Sequence, residues 1–267
     1  PRSSLITDVA QVRTSIALGR LRYRLTHHDK LWSPLPLFHI AAILPMLAIF
    51  DVGGTYITMG YFDPGVALRM LEDYKVTATY PCFVTIMQGL IYHPDFSQRD
   101  LTGIRLMNSN FAVQPPGVAE PIIKAMPDAV QVGSFGMTEA AGTVSTGSPD
   151  DTEEIRITRL GRPLPGLEVN VIDPTGHTVT AGARGEVLVR GYSLFEGYYR
   201  DREKTAQALD GEGWFHTGDI GSVDADGAIM FHGRFKDMLK VGGENVAAAE
   251  IEAQLQRHPA RLSQSSN

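Results

Sequence analysis

One acidic residue of the chain has surroundings that suit a sugar-binding carboxylate. Residues 213–219 read GWFHTGD, and Asp219 ends this run directly after Gly218. An ionised carboxylate has two oxygens that accept hydrogen bonds, so it can hold both hydroxyls of a ribose diol. A neighbouring glycine leaves room for the sugar. The alternative is an ordinary surface turn between strands, because glycine and aspartate are both common turn residues.

A second stretch, GSFGMTEAAG at residues 133–142, combines three groups that suit a nucleotide. Phe135 offers a flat ring on which a base can stack. The hydroxyl of Thr138 can donate to a phosphate oxygen, and the carboxylate of Glu139 is the kind of ligand that Mg²⁺ prefers. A glycine turn beside a buried phenylalanine is also consistent with this stretch, so it leaves both interpretations open.

Residues 233–246, GRFKDMLKVGGENV, mix cations with a double glycine. Arg234 could fork onto ribose or phosphate oxygens. Lys236 could equally form an exposed ion pair with Asp237, which would contribute little to stability. Gly242-Gly243 permit either a turn or the close passage of a thin ligand.

His39 stands at the head of the longest apolar run, Leu37 to Phe50. A histidine in such a position is more often a core residue than a functional one. The run is short for a membrane span and contains Pro45, so it predicts a buried helix.

The chain that positions these stretches changes character at Gly142, and the part before it differs from the part after it. Strand and helix signals alternate up to Gly142, which favours an α/β layer structure with helices covering a sheet. Asp63-Pro64 has the chemistry of a helix start, an N-cap acid followed by proline in the first turn. The expected strands are 54–60, 76–80 and 129–134, and the expected helices are 63–74, 81–92 and 115–125.

The chain after Gly142 is predicted to be mostly β. Leu167, Val169 and Val171 alternate with polar residues, as do Val187 and Val189. Turns are expected at 173–176 and 224–227. One helix is expected from about Asp201 to Leu209, and another from Asn245.

Composition restricts the class of protein. The 267 residues suffice for one large or two smaller domains. The net charge of −6 gives no sign of the basic face that nucleic-acid binding requires. Cys82 is the only cysteine, which excludes an internal disulfide and favours a reducing, cytoplasmic location. The arginine-rich first residues are interpreted as an amphipathic surface helix rather than a transit peptide.

In chain order, these stretches resemble the motifs of the adenylate-forming superfamily, which includes acyl-CoA synthetases, luciferases and the adenylation domains of peptide synthetases. The resemblance extends from residue 1 to about Ala260. The motifs that carry it are PLFH (36–39), FGMTE (135–139), GEVLVRG (185–191), GYY (197–199) leading to KTAQAL, GWFHTGD (213–219), GRFKDMLKVGGENV (233–246) and EIE (250–252).

The resemblance implies a fold class and a division of the chain. Residues 1–142 would form a layered α/β subdomain and residues 143–235 a β-rich subdomain, both within the large N-terminal, AMP-binding domain. Residues 236–267 would be the hinge and the truncated start of the C-terminal domain.

The resemblance also implies an activity, that of an ATP-dependent acid–CoA ligase. A carboxylic acid would react with ATP and Mg²⁺ to give acyl-AMP and pyrophosphate, and a thiol, usually that of CoA, would then take the acyl group. The GGEN run is similar to that of acyl-CoA synthetases, so a fatty or related acid is the expected substrate. A carrier-protein pantetheine as acceptor and a homodimer are left open. No nucleic acid and no transmembrane segment are expected.

Transferred by motif, the nucleotide-binding residues come from the second and first stretches. Phe135 would lie against adenine, with Ser134 and Gly136 in the same cofactor-binding set. Thr138 would contact the α-phosphate, and Glu139 would hold Mg²⁺. The carboxylate of Asp219 would bind the ribose hydroxyls, and Arg234 would reach the same sugar.

The remaining transferred roles concern the acyl group and the thiol. His39 would lie near the acyl carboxylate and the thiol entry. Lys236 matches the hinge position about which the C-terminal domain rotates between the two half-reactions. Lys240, Gly242 and Gly243 would line the approach of the thiol.

The sequence departs from the family pattern in three ways. The phosphate loop rich in serine, threonine and glycine is absent, with Pro1-Arg2 as its possible last residues. No lysine follows Lys240, so the family's adenylation lysine is missing. Asn110 and Phe111 replace glycines of the family's Ser-Gly-Gly-Ala-Pro. We therefore expect a partial enzyme that adenylates poorly or not at all alone, and the alternative is a non-catalytic nucleotide- or partner-binding remnant.

Overall fold

The structure is a computed structural model that describes residues 3–110, 116–235, 238–241 and 244–247. Its helices are α1 (Asp8–Ile16), α2 (Ile40–Asp51), α3 (Pro64–Asp73), α4 (Val84–Ile91), α5 (Pro116–Ala125), α6 (Glu153–Thr158) and α7 (Arg202–Ala208). Its strands are β1 (Ser4–Leu5), β2 (Lys30–Ser33), β3 (Thr55–Thr58), β4 (Ala78–Thr79), β5 (Leu106–Asn110), β6 (Val130–Phe135), β7 (Ser145–Thr146), β8 (Arg162–Pro163), β9 (Leu167–Ile172), β10 (Gly185–Gly191), β11 (Gly197–Tyr198), β12 (Phe215–Val223), β13 (Ile229–Arg234), β14 (Met238–Val241) and β15 (Glu244–Ala247).

The first half of the chain builds a seven-stranded sheet in the order β3-β2-β4-β5-β6-β7-β8. Strands β2 to β6 pair in parallel, and β7 and β8 add antiparallel pairs at one side. The expected α/β layer structure is confirmed, with helices α2 to α5 connecting the parallel strands. Strand β6 ends at Phe135, so residues 136–139 follow directly after the carboxyl end of this inner strand.

Helix starts follow the capping chemistry of the sequence. Asp63 is the N-cap of α3, its Oδ1 accepts from the backbone N–H of Val66 at 2.7 Å, and Pro64 occupies the first turn. His39 is the N-cap of α2, and its Nδ1 accepts from the N–H of Ala41 at 3.1 Å. The apolar run does form a helix, which buries residues such as Leu44 and Ile49, although Phe38 before it is 89% exposed.

The second half builds a four-stranded antiparallel sheet in the order β13-β12-β10-β9. The expected turn at 224–227 joins β12 to β13. Asp224 Oδ1 accepts from the N–H groups of Asp226 at 3.0 Å and Ala228 at 2.9 Å, and Gly227 takes a φ of +80° that favours glycine. This turn sets the pairs from Val223–Ile229 to Gly221–Phe231, and a register irregularity beyond them shifts the remaining pairs by one residue.

Two large clusters of buried side chains hold most of the described chain together, and a third, small one gathers Phe195, Tyr198 and Phe215. The first large cluster contains Trp32 and Tyr80 and lies against the parallel sheet. The second large cluster joins Phe135 at the end of β6 to Val187 on β10 and Ile229 on β13. This second cluster draws residues from both sides of the division expected after residue 142, and that division stays a prediction.

The sequence pattern does not predict several strands, among them the central strands β2 and β5, and it predicts the wrong structure for one segment. Strands β2 and β5 are buried on both faces, as central parallel strands are, so they show no alternation. The helix expected from Asn245 is wrong at its start, because residues 244–247 form β15 and pair with β14. Asparagine and valine are weak helix formers, and main-chain pairing prevails over the spacing of apolar residues. Among the described residues, no helix is long and apolar enough to cross a membrane.

Candidate functional site

A cleft of about 880 Å³ lies where the antiparallel sheet meets the end of β6 and helix α7. One wall consists of residues 215–219 on β12 and of Arg234 and Phe235 after it. Glu139 and Tyr198 contribute from the neighbouring segments, and Lys204 and Gln207 contribute from α7. Asp219 and Arg234 therefore line one cavity with Glu139, which lies far from both in the sequence.

Asp219 and Arg234 form an ion pair in the described lining of this cleft, and its carboxylate is almost fully buried. They are direct partners in the antiparallel ladder between β12 and β13. Arg234 Nε donates to Asp219 Oδ1 at 2.7 Å, and the two side chains are 46% and 3% exposed, respectively. A charge-assisted bond of this length fixes the carboxylate, and Arg234 keeps part of its guanidinium in the cleft.

The Thr-Gly-Asp segment is a bulge inside β12, which corrects the expectation of a turn between strands. Leu188 on β10 pairs with His216, and Glu186 pairs with Ile220. Residues 217–219 consequently lie opposite a single residue of β10. Gly218 takes a φ of +68°. Such a bulge breaks the regular alternation of side chains and redirects those that follow.

The 217–219 bulge is tied to β10 by side chains. Thr217 Oγ1 donates to the carbonyl of Val187 at 2.7 Å and accepts from the N–H of Asp219 at 3.0 Å. Glu186 Oε1 accepts from the N–H of Gly218 at 3.1 Å. The other oxygen of Glu186 lies 3.2 Å from His216 Nδ1. These bonds replace main-chain bonds that a bulge cannot make.

Beside the bulge, His216 connects Glu186 to Asp210, and both Glu186 and His216 belong to the lining of the cleft. His216 Nε2 lies 3.6 Å from Asp210 Oδ2. Burial raises the pKa of the Asp210 carboxyl, but hydrogen bonds from the N–H groups of Trp214 and Glu212 outweigh it and lower that pKa. Sequence reasoning missed Glu186 and His216 as site residues, although both lie within the motifs GEVLVRG and GWFHTGD.

Glu139 lies in a short 3₁₀ turn, Thr138–Ala140, at the carboxyl end of β6. Tyr198 Oη donates to Glu139 Oε1 at 2.8 Å, and the carbonyl of Glu139 accepts from the N–H of Phe195. Thr138 is exposed. The turn needs Gly136, because a Cβ there would lie 2.0 Å from the carbonyl oxygen of Gly142.

Phe135 and Ser134 lie apart from the described cleft lining. Phe135 is 3% exposed and packs in the second large cluster. Ser134 is fully buried, where it accepts from Asn108 Nδ2 at 2.6 Å and donates to Thr146 Oγ1 at 2.8 Å. The contact of Phe135 with adenine stays a prediction, and it would have to use the small exposed part of the ring.

His39 is exposed beside the 138–142 segment. Its imidazole makes an edge-on contact with Phe83, with ring centroids 6.0 Å apart. Ile40, which follows His39, begins α2. A Cβ at position 142 would lie 3.4 Å from Cγ1 of Ile40, so the start of α2 packs close to Gly142. The predicted roles of Lys236, Gly242, Gly243 and the replacement Phe111 fall outside the described residues, as does the side chain of Lys240.

Comparison with known proteins gives consistent matches. A family model described as "AMP-binding enzyme" matches residues 3–199. The acyl-CoA ligase sidI of Aspergillus fumigatus is 34% identical over 266 residues, which cover 97% of this chain and 45% of that protein.

Two solved structures each align with 97% of this chain. ATP-bound MatB from Rhodopseudomonas palustris has a TM-score of 0.85 at 27% identity, with 50% of that chain covered. The amide bond synthetase McbA from Marinactinospora thermotolerans has a TM-score of 0.83 at 31% identity, with 52% covered. The chain thus spans about half the length of the proteins it matches.

Proposed function

This chain belongs to the AMP-binding enzyme family, and we propose that it forms the nucleotide-binding part of an ATP-dependent acid–CoA ligase. The observation that carries the proposal is the pairing of Asp219 with Arg234 in a cleft that also holds Glu139. One carboxylate, one guanidinium and a second carboxylate in one cavity match the sugar and the metal–phosphate parts of a nucleotide.

The ribose would bind at the 217–219 bulge. The carboxylate of Asp219 would accept from the two sugar hydroxyls, and the guanidinium of Arg234 would donate to the same sugar. Because Arg234 Nε already holds Asp219 Oδ1 at 2.7 Å, the carboxylate is oriented before a ligand arrives. A side chain that is already oriented loses less conformational entropy when the ligand binds, so the free-energy cost of binding is smaller.

The phosphates would lie toward the Thr138–Ala140 turn. The exposed hydroxyl of Thr138 would donate to the α-phosphate. Within the described residues, no group of three or more His, Cys, Asp and Glu could hold a metal ion. Mg²⁺ often takes one protein carboxylate together with phosphate oxygens and water, and Glu139 would supply that carboxylate.

The proposed reaction has two steps. A carboxylate oxygen of the acid attacks the α-phosphorus of ATP, and pyrophosphate leaves with the electrons of the broken P–O bond. The thiol of CoA then loses its proton to solvent and its sulfur attacks the acyl carbonyl, and AMP leaves with the electrons of the broken C–O bond. Thr138 and bound Mg²⁺ would stabilise the charge that develops on the phosphate. His39, held as the N-cap of α2 beside Gly142, would orient the acid and the incoming thiol.

We propose a carboxylic acid of the fatty-acid type as substrate, on the GGEN resemblance. The similarity to the acyl-CoA ligase sidI supports a CoA acceptor, and the similarity to ATP-bound MatB supports ATP. A cytoplasmic location forms part of this proposal. Because the phosphate-loop residues and a C-terminal lysine are absent from the sequence, the 267-residue chain alone would adenylate poorly.

Calorimetry of AMP against the 267-residue chain tests the proposal. We expect saturable binding, and Asp219→Ala should weaken it by about 10- to 100-fold, because hydrogen bonds to a charged acceptor are lost. Asp226→Ala, an exposed aspartate of the turn that joins the same two strands, is the matched control and should bind as the wild type does. Absence of AMP binding, or equal binding by Asp219→Ala, would overturn the nucleotide site. Robust acid-dependent pyrophosphate release by this chain would contradict the proposed weak adenylation.

A further inference from the structure

We propose that Glu186 is the positioning residue of the sugar site and fixes the orientation of the Asp219 carboxylate without touching the ribose. The inference rests on the proposed function, because it concerns the same ribose hydroxyls. It adds a residue to which the sequence resemblance gives no role.

The first observation is that the carboxylate of Glu186 holds both sides of the 217–219 bulge. Its Oε1 accepts from the N–H of Gly218 inside the bulge at 3.1 Å, and its Oε2 lies 3.2 Å from Nδ1 of His216, which precedes the bulge. One side chain therefore fixes the start of the bulge and its middle residue relative to β10.

The second observation is the backbone that this carboxylate stabilises. Gly218 has a φ of +68° and nothing within 4 Å of its Cβ position, so local packing does not hold it. In a bulge, the extra residues are left out of the main-chain ladder. The bond to Glu186 therefore supplies the acceptor that β10 would otherwise give to Gly218, and Gly218 is bonded directly to Asp219.

The third observation is that Glu186 is itself held in place. Its side chain is 21% exposed and that of His216 is 33% exposed. The far nitrogen of His216 lies 3.6 Å from Asp210 Oδ2, and Asp210 also accepts from two N–H groups of its own loop. A series of contacts thus runs from the 210–214 loop through His216 and Glu186 to the bulge. These contacts hold the Glu186 carboxylate in one orientation.

The consequence concerns the sugar hydroxyls in particular. Asp219 would contact the 2′- and 3′-hydroxyls, so an error in its orientation would cost the contribution of those hydroxyls and leave the rest of the nucleotide unaffected. The affinity ratio between AMP and 2′,3′-dideoxy-AMP isolates this contribution. A residue with only a structural role would lower stability without changing that ratio.

The experiment measures both ligands by calorimetry on the 267-residue chain and three variants. The wild type should prefer AMP by about tenfold or more. Glu186→Met keeps the length of the side chain but removes the acceptor, so the preference should fall below about threefold. Glu186→Gln should restore the preference, since its Oε1 can accept from Gly218 and its Nε2 can donate to His216 Nδ1. Glu168→Met, on the adjacent strand β9 and outside the described cleft lining, is the matched control and should behave as the wild type does.

Amide hydrogen exchange of Gly218 without ligand gives the second readout. Loss of its acceptor in Glu186→Met should speed the exchange by about tenfold or more. Loss of AMP affinity with unchanged exchange would mean that Glu186 touches the ligand directly, and it would overturn a positioning role. If Glu186→Met does not fold, Glu186→Asp withdraws the carboxylate by one methylene and should show the same two changes.

The outcomes separate the two proposals. A wild-type chain that binds AMP and dideoxy-AMP equally would overturn the sugar site and this inference with it. A wild-type preference that Glu186→Met retains would overturn the role of Glu186 alone, with the sugar site left standing.

Discussion

Tyr198 Oη lies 2.8 Å from Glu139 Oε1, and this hydrogen bond links strand β11 to the turn that follows β6. Tyr198 is 8% exposed, and its ring packs edge-on against Phe195 at 4.8 Å between centroids. The phenol therefore has little freedom to leave Glu139. In the proposed site, this bond determines which oxygen of Glu139 remains available to a metal ion.

Tyr198→Phe should weaken the binding of Mg·ATP without weakening the fold. The ring contact with Phe195 is retained, and the donor to Glu139 is lost. A hydrogen bond to a charged group contributes about 1.5–3 kcal/mol, so we expect roughly a tenfold loss of affinity for Mg·ATP. Calorimetry in Mg²⁺ and in EDTA separates this effect from nucleotide binding without metal. Tyr199→Phe, at a neighbouring phenol that is 53% exposed, is the control, and equal losses in both variants would refute the role of Tyr198.

Gly136→Ala should distort the segment that carries Thr138 and Glu139. A Cβ at this position would lie 2.0 Å from the oxygen of Gly142 and 2.8 Å from Cα of Thr143, so the backbone must move. We expect a loss of about 3 kcal/mol in the free energy of unfolding, together with loss of AMP binding. Gly211→Ala places its methyl group where nothing lies within 4 Å and should change stability by less than about 0.5 kcal/mol. Urea unfolding of both variants is the measurement, and a Gly136→Ala chain of normal stability would show that the two segments are not in close contact.

Asp29→Ala should be among the more destabilising changes of a charged residue. The carboxylate of Asp29 is 5% exposed and accepts from Arg105 Nη2 at 2.7 Å and Thr77 Oγ1 at 2.7 Å. Removing it leaves these donors without their acceptor, which costs about 3 kcal/mol. Glu168→Ala breaks an exposed pair with Arg190 and should cost less than about 1 kcal/mol. Equal urea midpoints for the two variants would contradict this ordering.

The pH dependence of the same substitution has a defined sign. Burial raises the pKa of the Asp29 carboxyl, but hydrogen bonds from Arg105, Thr77 and Thr26 outweigh it, so that pKa lies below its ordinary value. The stability that Asp29 contributes is therefore complete above the unfolded pKa of about 3.9 and is lost as the pH falls through the lower folded pKa. The difference in unfolding free energy between wild type and Asp29→Ala should be constant from pH 7 to about pH 5 and shrink in stronger acid. A difference that grows in acid would contradict the assigned direction.

The thiol of Cys82 should be unreactive in the folded chain. It is 3% exposed, and burial raises its pKa. Alkylation requires the thiolate, so labelling at pH 8 should be at least about a hundredfold slower than that of free cysteine. Because Cys82 is the only cysteine, the labelled fraction reports on this site alone, and concentrated urea should restore full reactivity. Rapid labelling without urea would mean that the segment after β4 opens readily.

The sequence predicts that Asp219 and Arg234 lie near each other, but not that they pair directly. The family resemblance implies that both residues contact one sugar, and the matched family model, which covers residues 3–199, reaches neither of them. The turn chemistry at 224–227 predicts that β12 and β13 form a hairpin. A regular hairpin with this turn would place Gly233 opposite Asp219, and the register irregularity beyond the pair Gly221–Phe231 places Arg234 there instead. Local chemistry therefore predicts the hairpin but not the exact partner of Asp219. The roles of the two side chains toward a ligand stay predictions.

The 217–219 bulge and the role of Glu186 could not be predicted in the same way. A bulge depends on how β12 registers with β10 on one side and β13 on the other, and this is a property of three strands together. The burial of Phe135 likewise depends on Val187 and Ile229, which come from distant strands. The strand at 244–247 replaces an expected helix for the same reason, since its partner strand decides its conformation.

The two ends of the cleft differ in the sequence separation of the residues that pair there. Asp219 and Arg234 are 15 residues apart and meet across a hairpin, whereas Glu139 and Tyr198 are 59 apart. Loop-closure entropy rises with the length of the loop, and local pairs form fastest. During refolding, the sugar end is therefore favoured to assemble as soon as its hairpin zips, on the order of microseconds, and the phosphate end only after the intervening strands have found their places. The sequence separation of the paired residues thus determines the order in which the two ends of the cleft form during folding.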